Sequence, residues 1–204
     1  MAKIARKSPQ AQLSPADAEL ENKILNYFLL FFSCALIGWL WEVAISFAQY
    51  GIFINRGVLH GPWLPIYGFG GLGIIILLKR FRKHPLVVFL SSIVLCGTIE
   101  YFTGWYLETF KHMKWWDYSG DFMNLHGRIC LLALTSFGLA ALFLVYFAHP
   151  KLIAFFNKIP IKPKKVLCFA LVLCFLGDFV YSSDNPNTGN GISSEVQSAD
   201  TSQE

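Results

Sequence analysis

Charge is scarce in this sequence. Only 15% of its 204 residues are Asp, Glu, Lys or Arg, where a soluble domain carries about 25%. That shortage, with 54% hydrophobic residues, excludes a soluble globular enzyme and a disordered chain. Cysteine is also sparse. The five, Cys34, Cys96, Cys130, Cys168 and Cys174, all lie in apolar runs, with no CxxC and no Cys/His ligand spacing. A disulfide scaffold and a zinc site are therefore excluded, and the thiols read as small packing groups. No GxxxxGK[ST], GxSxG or HExxH is present, so ATP binding through a P-loop, a nucleophile elbow and a zincin site are not expected. No cofactor or metal is expected. Nor is a nucleic-acid partner: basic residues in so apolar a chain mark membrane flanks.

What remains is a succession of long apolar runs. The predicted fold is all-α, a polytopic helical membrane protein with about five transmembrane helices. The spans are Tyr27–Phe47, Leu64–Leu78, Leu86–Tyr106, Ile129–Phe147 and Val166–Tyr181. The second is short and glycine-rich, and reads as a partial or re-entrant span, allowed where protein or water covers its ends. Three regions follow: residues 1–25, a polar cytoplasmic segment; 26–181, the membrane domain; and 182–204, a Ser/Asn/Gly-rich tail expected to be disordered. Ser14-Pro15-Ala16-Asp17 reads as a helix start, with Ser14 as N-cap. That helix either lies at the interface or runs into the first span.

Lys and Arg set the orientation. With five spans, alternate sides hold 13 and 4 of them. The positive-inside rule then puts the N-terminus in the cytoplasm and the C-terminus outside, in a cell membrane.

Against this background the acids inside the spans stand out, because a charge at a helix centre costs about 2.5–3.5 kcal/mol on insertion scales. By helical rise, Glu42, Glu100 and Asp178 all fall in the outer half. Cys34, Gly38, Glu42 and Gln49 share one stripe, and Gly97, Glu100, Gly104 and Glu108 another, as expected for close packing around a polar interior. Asp178 reads first as an acid near the outer surface. The outer loops lie on the same side. The first carries Asn55, Arg56, His60 and, at the next span, Tyr67; the second carries Trp116, Asp117, Asn124 and Arg128. Arg56 and Arg128 suit a carboxylate or phosphate, or else pair internally with Glu42, Glu100 or Glu108. The aromatic run Trp115–Tyr118 reads as an interface belt or a stacking surface. These eleven positions, Glu42, Asn55, Arg56, His60, Tyr67, Glu100, Glu108, Trp116, Asp117, Asn124 and Arg128, are the candidate substrate-binding residues. The pattern of Gly, Glu, then Asn before Gly occurs twice, as in a parallel repeat; two unrelated hydrophobic hairpins would show as much.

Gly38-Trp39…Glu42, the run Asn55-Arg56-Gly57…Gly61-Pro62…Pro65-Ile66-Tyr67-Gly68, Glu100, Glu108, Trp115-Trp116-Asp117-Tyr118 and Asn124…Gly127-Arg128 resemble the ABC-transporter type IV permeases. The similarity covers about residues 27 to 182. It implies a bacterial multi-pass membrane protein working with a separate ATPase subunit. Five short spans are few for a permease half, so a homodimer would be needed to form a pathway. The basic loops Lys79–Pro85 and His149–Lys165 show no obvious coupling helix.

Three functions fit the residues. The first is a transport component with an outward-facing polar site of Glu and Arg. The second is an intramembrane enzyme acting on a lipid or lipid-linked substrate at the outer leaflet. The third is a non-catalytic membrane subunit. Transport is the reading preferred here; membrane lipids are a partner in every case.

Overall fold

The computed structural model describes residues 14–187. Residues 1–13, and the tail from 188 on, lie outside the described residues. Every regular element among those described is helical.

Helix α1 (Pro15–Tyr50) starts as its sequence dictates. Ser14 caps it, its side chain accepting from the Asp17 N–H at 3.2 Å, and Pro15 sits in the first turn, where a missing N–H costs nothing. The helix runs without a break from the polar segment into the first span. It ends at Gly51, whose left-handed φ of 70° suits a residue without Cβ.

The chain then turns back. Residues 51–64 descend beside the upper part of α1: the Trp39 indole N–H donates to Asn55 Oδ1 at 2.7 Å, and the Leu64 N–H donates to the Ala35 carbonyl at 3.1 Å. Helix α2 (Pro65–Leu78) begins only there, level with the middle of α1. It runs antiparallel to α1 as far as Tyr27, whose hydroxyl accepts from Lys79 at 3.1 Å. Fourteen residues span about 21 Å, short of the roughly 30 Å hydrocarbon layer. The short second span is therefore a half-helix preceded by a loop that folds back along α1. Its glycines have a packing reason. A Cβ on Gly68 or Gly71 would lie 2.6 Å from the Phe31 ring or Cys34 Sγ, and one on Gly38 only 2.2 Å from Tyr67.

After a 3₁₀ turn, helix α3 (Pro85–Lys111) rises, its last turn at 107–111 in the wider π geometry. The 112–130 loop follows, and helix α4 (Leu131–Phe156) descends against α3. Gly97 receives Leu134, and Gly138 receives Phe89. The sequence ends this span at Phe147 and reads His149–Lys165 as loop. The helix instead continues to Phe156. The reason is a π turn at 144–148 directly before Pro150: a proline gives no N–H to the carbonyl four residues back, and a local change of register absorbs the defect. Only residues 157–160 form the turn to α5 (Ile161–Asp184). That last helix outruns Val166–Tyr181 at both ends. Asn187, placed by sequence in the disordered tail, donates through its side chain to the carbonyls of Asn55 and Gly57, both at 3.0 Å.

Four of the helices, α1, α3, α4 and α5, are long and apolar enough to cross a membrane. The buried apolar core draws on all five and gathers at one end: Leu29 and Leu30, Ile74, Ile75 and Leu78, Val88, Ala141, Val145 and Phe156, and Cys168. This is the end that carries the basic connections. At the opposite end, where α2 is missing and the two long loops fold in, polar side chains lie among a few buried apolar ones, Ile54, Leu59 and Leu107.

Candidate functional site

Two hairpins, α1–α2 and α3–α4, contribute one glutamate each to this polar end. Glu42 follows Gly38 by one helical turn. Because Gly38 lets Tyr67 lie flat against α1, the Tyr67 hydroxyl reaches Glu42 Oε1 at 2.5 Å. The other Glu42 oxygen is 3.7 Å from Arg56 Nε, so the loop before α2 brings that charge its counter-ion.

Glu100 is held differently. It is 5% exposed, and its Oε1 accepts from the Tyr118 hydroxyl at 3.0 Å. Its second oxygen is buried, with no hydrogen-bond partner among the described residues. The two glutamate–tyrosine pairs are close enough for their charges to act on one another. Glu42, Arg56, Tyr67 and Glu100, four of the candidate residues, thus belong to one cluster where the hairpins meet.

Arg128 belongs elsewhere. Its Nε and Nη2 both reach Glu108 Oε2, at 2.9 and 2.5 Å, and its Nη1 donates to the Tyr101 hydroxyl at 3.2 Å. Glu108 lies in the π turn of α3, and Trp116 donates to the Arg128 carbonyl at 2.9 Å. Of the two partners open to Arg128 on sequence, Glu108 is the one it takes. Asp117 and Asn124 shape the 112–130 loop itself. Asp117 takes Lys114 at 2.8 Å and the Ser119 N–H at 2.9 Å. The bond from Lys114, then those from Ser119, hold its carboxyl down at about 2. Asn124 donates to the Ser119 and Asp121 carbonyls and accepts from the Gly127 N–H. These bonds hold two residues with left-handed φ, Met123 at 52° and His126 at 55°, which only a well-tied loop sustains.

His60 and Asn55 sit in a third group, built on Asp178. That carboxylate accepts from the His60 N–H at 3.0 Å, the Gly61 N–H at 2.9 Å, the Trp63 indole at 2.7 Å and the Ser182 hydroxyl at 3.1 Å. The His60 ring contacts Ser182 Oγ at 3.0 Å. Asn55 closes the same loop by donating to the His60 carbonyl. Asp178 is therefore the clamp that holds the loop before α2 to α5.

Two contributors escaped the sequence reading as site residues. The sequence places Tyr118 only in the aromatic run, though of those four residues it is the one that reaches Glu100. Asp178 was visible as an acid within a span, but its loop contacts join positions about 115 apart in the chain and leave no local pattern. Chemically, the cluster offers one carboxylate with an arginine beside it and one with no cation beside it among the described residues. No group of three or more His, Cys, Asp or Glu capable of holding a metal occurs among the described residues.

A family model described as "Putative ABC-transporter type IV" matches residues 29–183, and the chain belongs to that family. No curated protein and no solved structure matches it. With its four membrane-length helices, it is a multi-pass membrane protein of a transporter family.

Proposed function

We propose that this family member is the membrane component of a transporter, and that its substrate is met where the two hairpins join, at Glu42, Tyr67, Glu100 and Tyr118. The observation that carries the reading is the second oxygen of Glu100, buried and without a partner among the described residues. A buried polar group left unsatisfied costs about 1–3 kcal/mol, more if charged. Such a cost is expected in a span only where the group is used. Arg56 balances Glu42 and so sets the charge of the site, whereas Arg128 is engaged by Glu108 and stabilises the second loop.

The polar end faces the outside in this reading, because 13 of 17 Lys and Arg lie on the other side. The N-terminus is cytoplasmic and the C-terminus external. Four long helices and a half-helix are few to enclose a path, so two copies complete it. A separate ATPase supplies the energy, docking on the basic connections. The lipid-enzyme reading is less well supported. His60 turns its ring to Ser182, and Arg128 is paired, so neither stands beside the glutamates as base or phosphate holder.

The test compares a deletion strain with strains carrying the wild type, Glu42→Gln or Glu100→Gln. Metabolites of cells and medium are profiled, and the membrane protein is quantified. Transport predicts that one class of solute changes sides on deletion. Both variants then reproduce the deletion while the protein accumulates normally. Unchanged solute distribution, or loss of the protein in both variants, overturns the reading.

A further inference from the structure

The transported group can be narrowed from the charges at the junction, on the basis of the site proposed above. Within the cluster, Glu42 has Arg56 at 3.7 Å and the Tyr67 hydroxyl at 2.5 Å. Among the described residues, Glu100 has only the neutral Tyr118 hydroxyl at 3.0 Å, on one of its two oxygens. Arg128, the next cation along, is held by Glu108. With both glutamates ionised, the cluster therefore carries one negative charge in excess, and it resides on a side chain 5% exposed with an oxygen that accepts nothing. An isolated carboxylate is not kept in such surroundings without a partner. The missing partner must donate a hydrogen bond and carry one positive charge.

The setting also argues against a bare metal ion. Calcium takes six to eight oxygen ligands, and magnesium about six. Here one oxygen is free, and no metal-binding group of acids occurs among the described residues. The side chains around the carboxylate are aromatic: Tyr118 bonds to its other oxygen, and Tyr67 sits within electrostatic range. Ring faces attract organic cations. Glu42, in the same cluster, keeps 28% side-chain exposure.

We infer that the second oxygen of Glu100 is the counter-ion for a monovalent organic cation with N–H donors, an ammonium-type group flanked by Tyr67 and Tyr118. When no cation is bound, a proton on Glu100 takes its place.

The test uses the full-length wild-type protein in membranes. Dicyclohexylcarbodiimide, which adds whole to a buried protonated carboxyl, is applied with and without ethylammonium chloride. Ethanol serves as neutral analogue and sodium chloride as salt control, and adducts are mapped by mass spectrometry. The expected adduct is on Glu100, not on Arg-paired Glu42 or Glu108. Ethylammonium at about ten times its dissociation constant slows labelling about tenfold, by simple competition; ethanol and sodium chloride do not. Glu100→Gln gives no adduct there. Labelling of Glu100 that ethylammonium leaves unchanged up to the solubility limit overturns the inference. So does an unreactive Glu100, or equal protection by sodium. None of these readouts depends on transport. Solute redistribution without protection removes the cation assignment alone, and protection without redistribution removes the transport reading while keeping the binding site.

Discussion

Asp117 and Asp178 are both aspartates with several hydrogen bonds, and they do different work. Asp117 is about half exposed, and its carboxyl is held at about 2, first by Lys114 and then by Ser119. A carboxyl depressed in the folded state contributes stability that is complete above the ordinary aspartate value, near 4, and is lost as pH falls through that value towards 2. The Lys114–Asp117–Ser119 turn should thus be unchanged from pH 7 to 5 and loosen between about pH 4 and 2. Amide exchange at Ser119 checks this: it should accelerate over that window, and earlier in Lys114→Met. High salt should weaken the effect, since the pair is exposed. Asp178 instead accepts four bonds from the loop before α2 and its own helix. Asp178→Asn turns one acceptor oxygen into a donor facing N–H groups. Bonds to a charged acceptor contribute about 1.5–3 kcal/mol each, so the variant should release the 51–64 loop. Limited proteolysis and Trp63 fluorescence report it. A loop as protected as in the wild type would mean that Asn55 and Asn187 alone hold it.

Helix contacts show which parts of the sequence were readable. The Gly38 stripe of α1 predicts close approach, and Gly38 meets Tyr67 within the distance of an added Cβ; Gly68 and Gly71 of α2, which the sequence reads only as part of a short span, do the same against Phe31 and Cys34. Gly38→Ala must displace the Tyr67 ring, at about 1–3 kcal/mol. It should also break the Tyr67–Glu42 bond. Gly70→Ala, with nothing within 4 Å, is the control and should be neutral. Thermal unfolding in detergent separates the two. The helix starts at Ser14-Pro15 and the half-length of α2 were likewise legible, because caps and apolar run lengths are local. The extension of α4 past Pro150 was not. A proline reads as a stop, and only the π turn before it shows how the helix continues. The polar knot at the other end was also invisible. Lys164 is fully buried, donating to Asn22 at 2.5 Å and Asn26 at 3.0 Å, while Asn26 donates to Asn157 at 2.8 Å. Those four residues come from α1, the α4–α5 turn and α5, and no spacing in the chain links them. Lys164→Met should leave the buried Asn26 amide oxygen unpaired and destabilise by about 1–3 kcal/mol, while the partly exposed Asn22 turns to water. Lys164→Met with Asn26→Leu should recover part of that, because apolar replacement of both partners is nearly neutral.

At the scale of the molecule, the two hairpins give the repeated pattern a physical meaning. Each first helix places a glutamate, Glu42 or Glu100, beside a tyrosine, Tyr67 or Tyr118. Each loop is tied by an asparagine, Asn55 or Asn124. Each second helix descends against a glycine of the first. Two such units run in the same direction, so the polar ends coincide and the apolar core gathers at the other end. That polarity supports the orientation proposed above. A half-helix and the loop before it together carry the chain from the polar end back to the basic end, as a full span would. On the proposed topology the number of crossings is odd, which would put the termini on opposite sides. Lys83, exposed in the basic connection, should face the cytoplasm with the N-terminus. Ser183, at the polar end of α5, should face out. In a background with the five cysteines replaced, Ser183→Cys should react with a membrane-impermeant maleimide in intact cells, and Lys83→Cys only after the cells are opened. The reverse result would turn the glutamate site towards the cytoplasm, where a substrate would be captured for export. Labelling of both positions from outside would mean that α2 and its loop do not return the chain across the membrane at all.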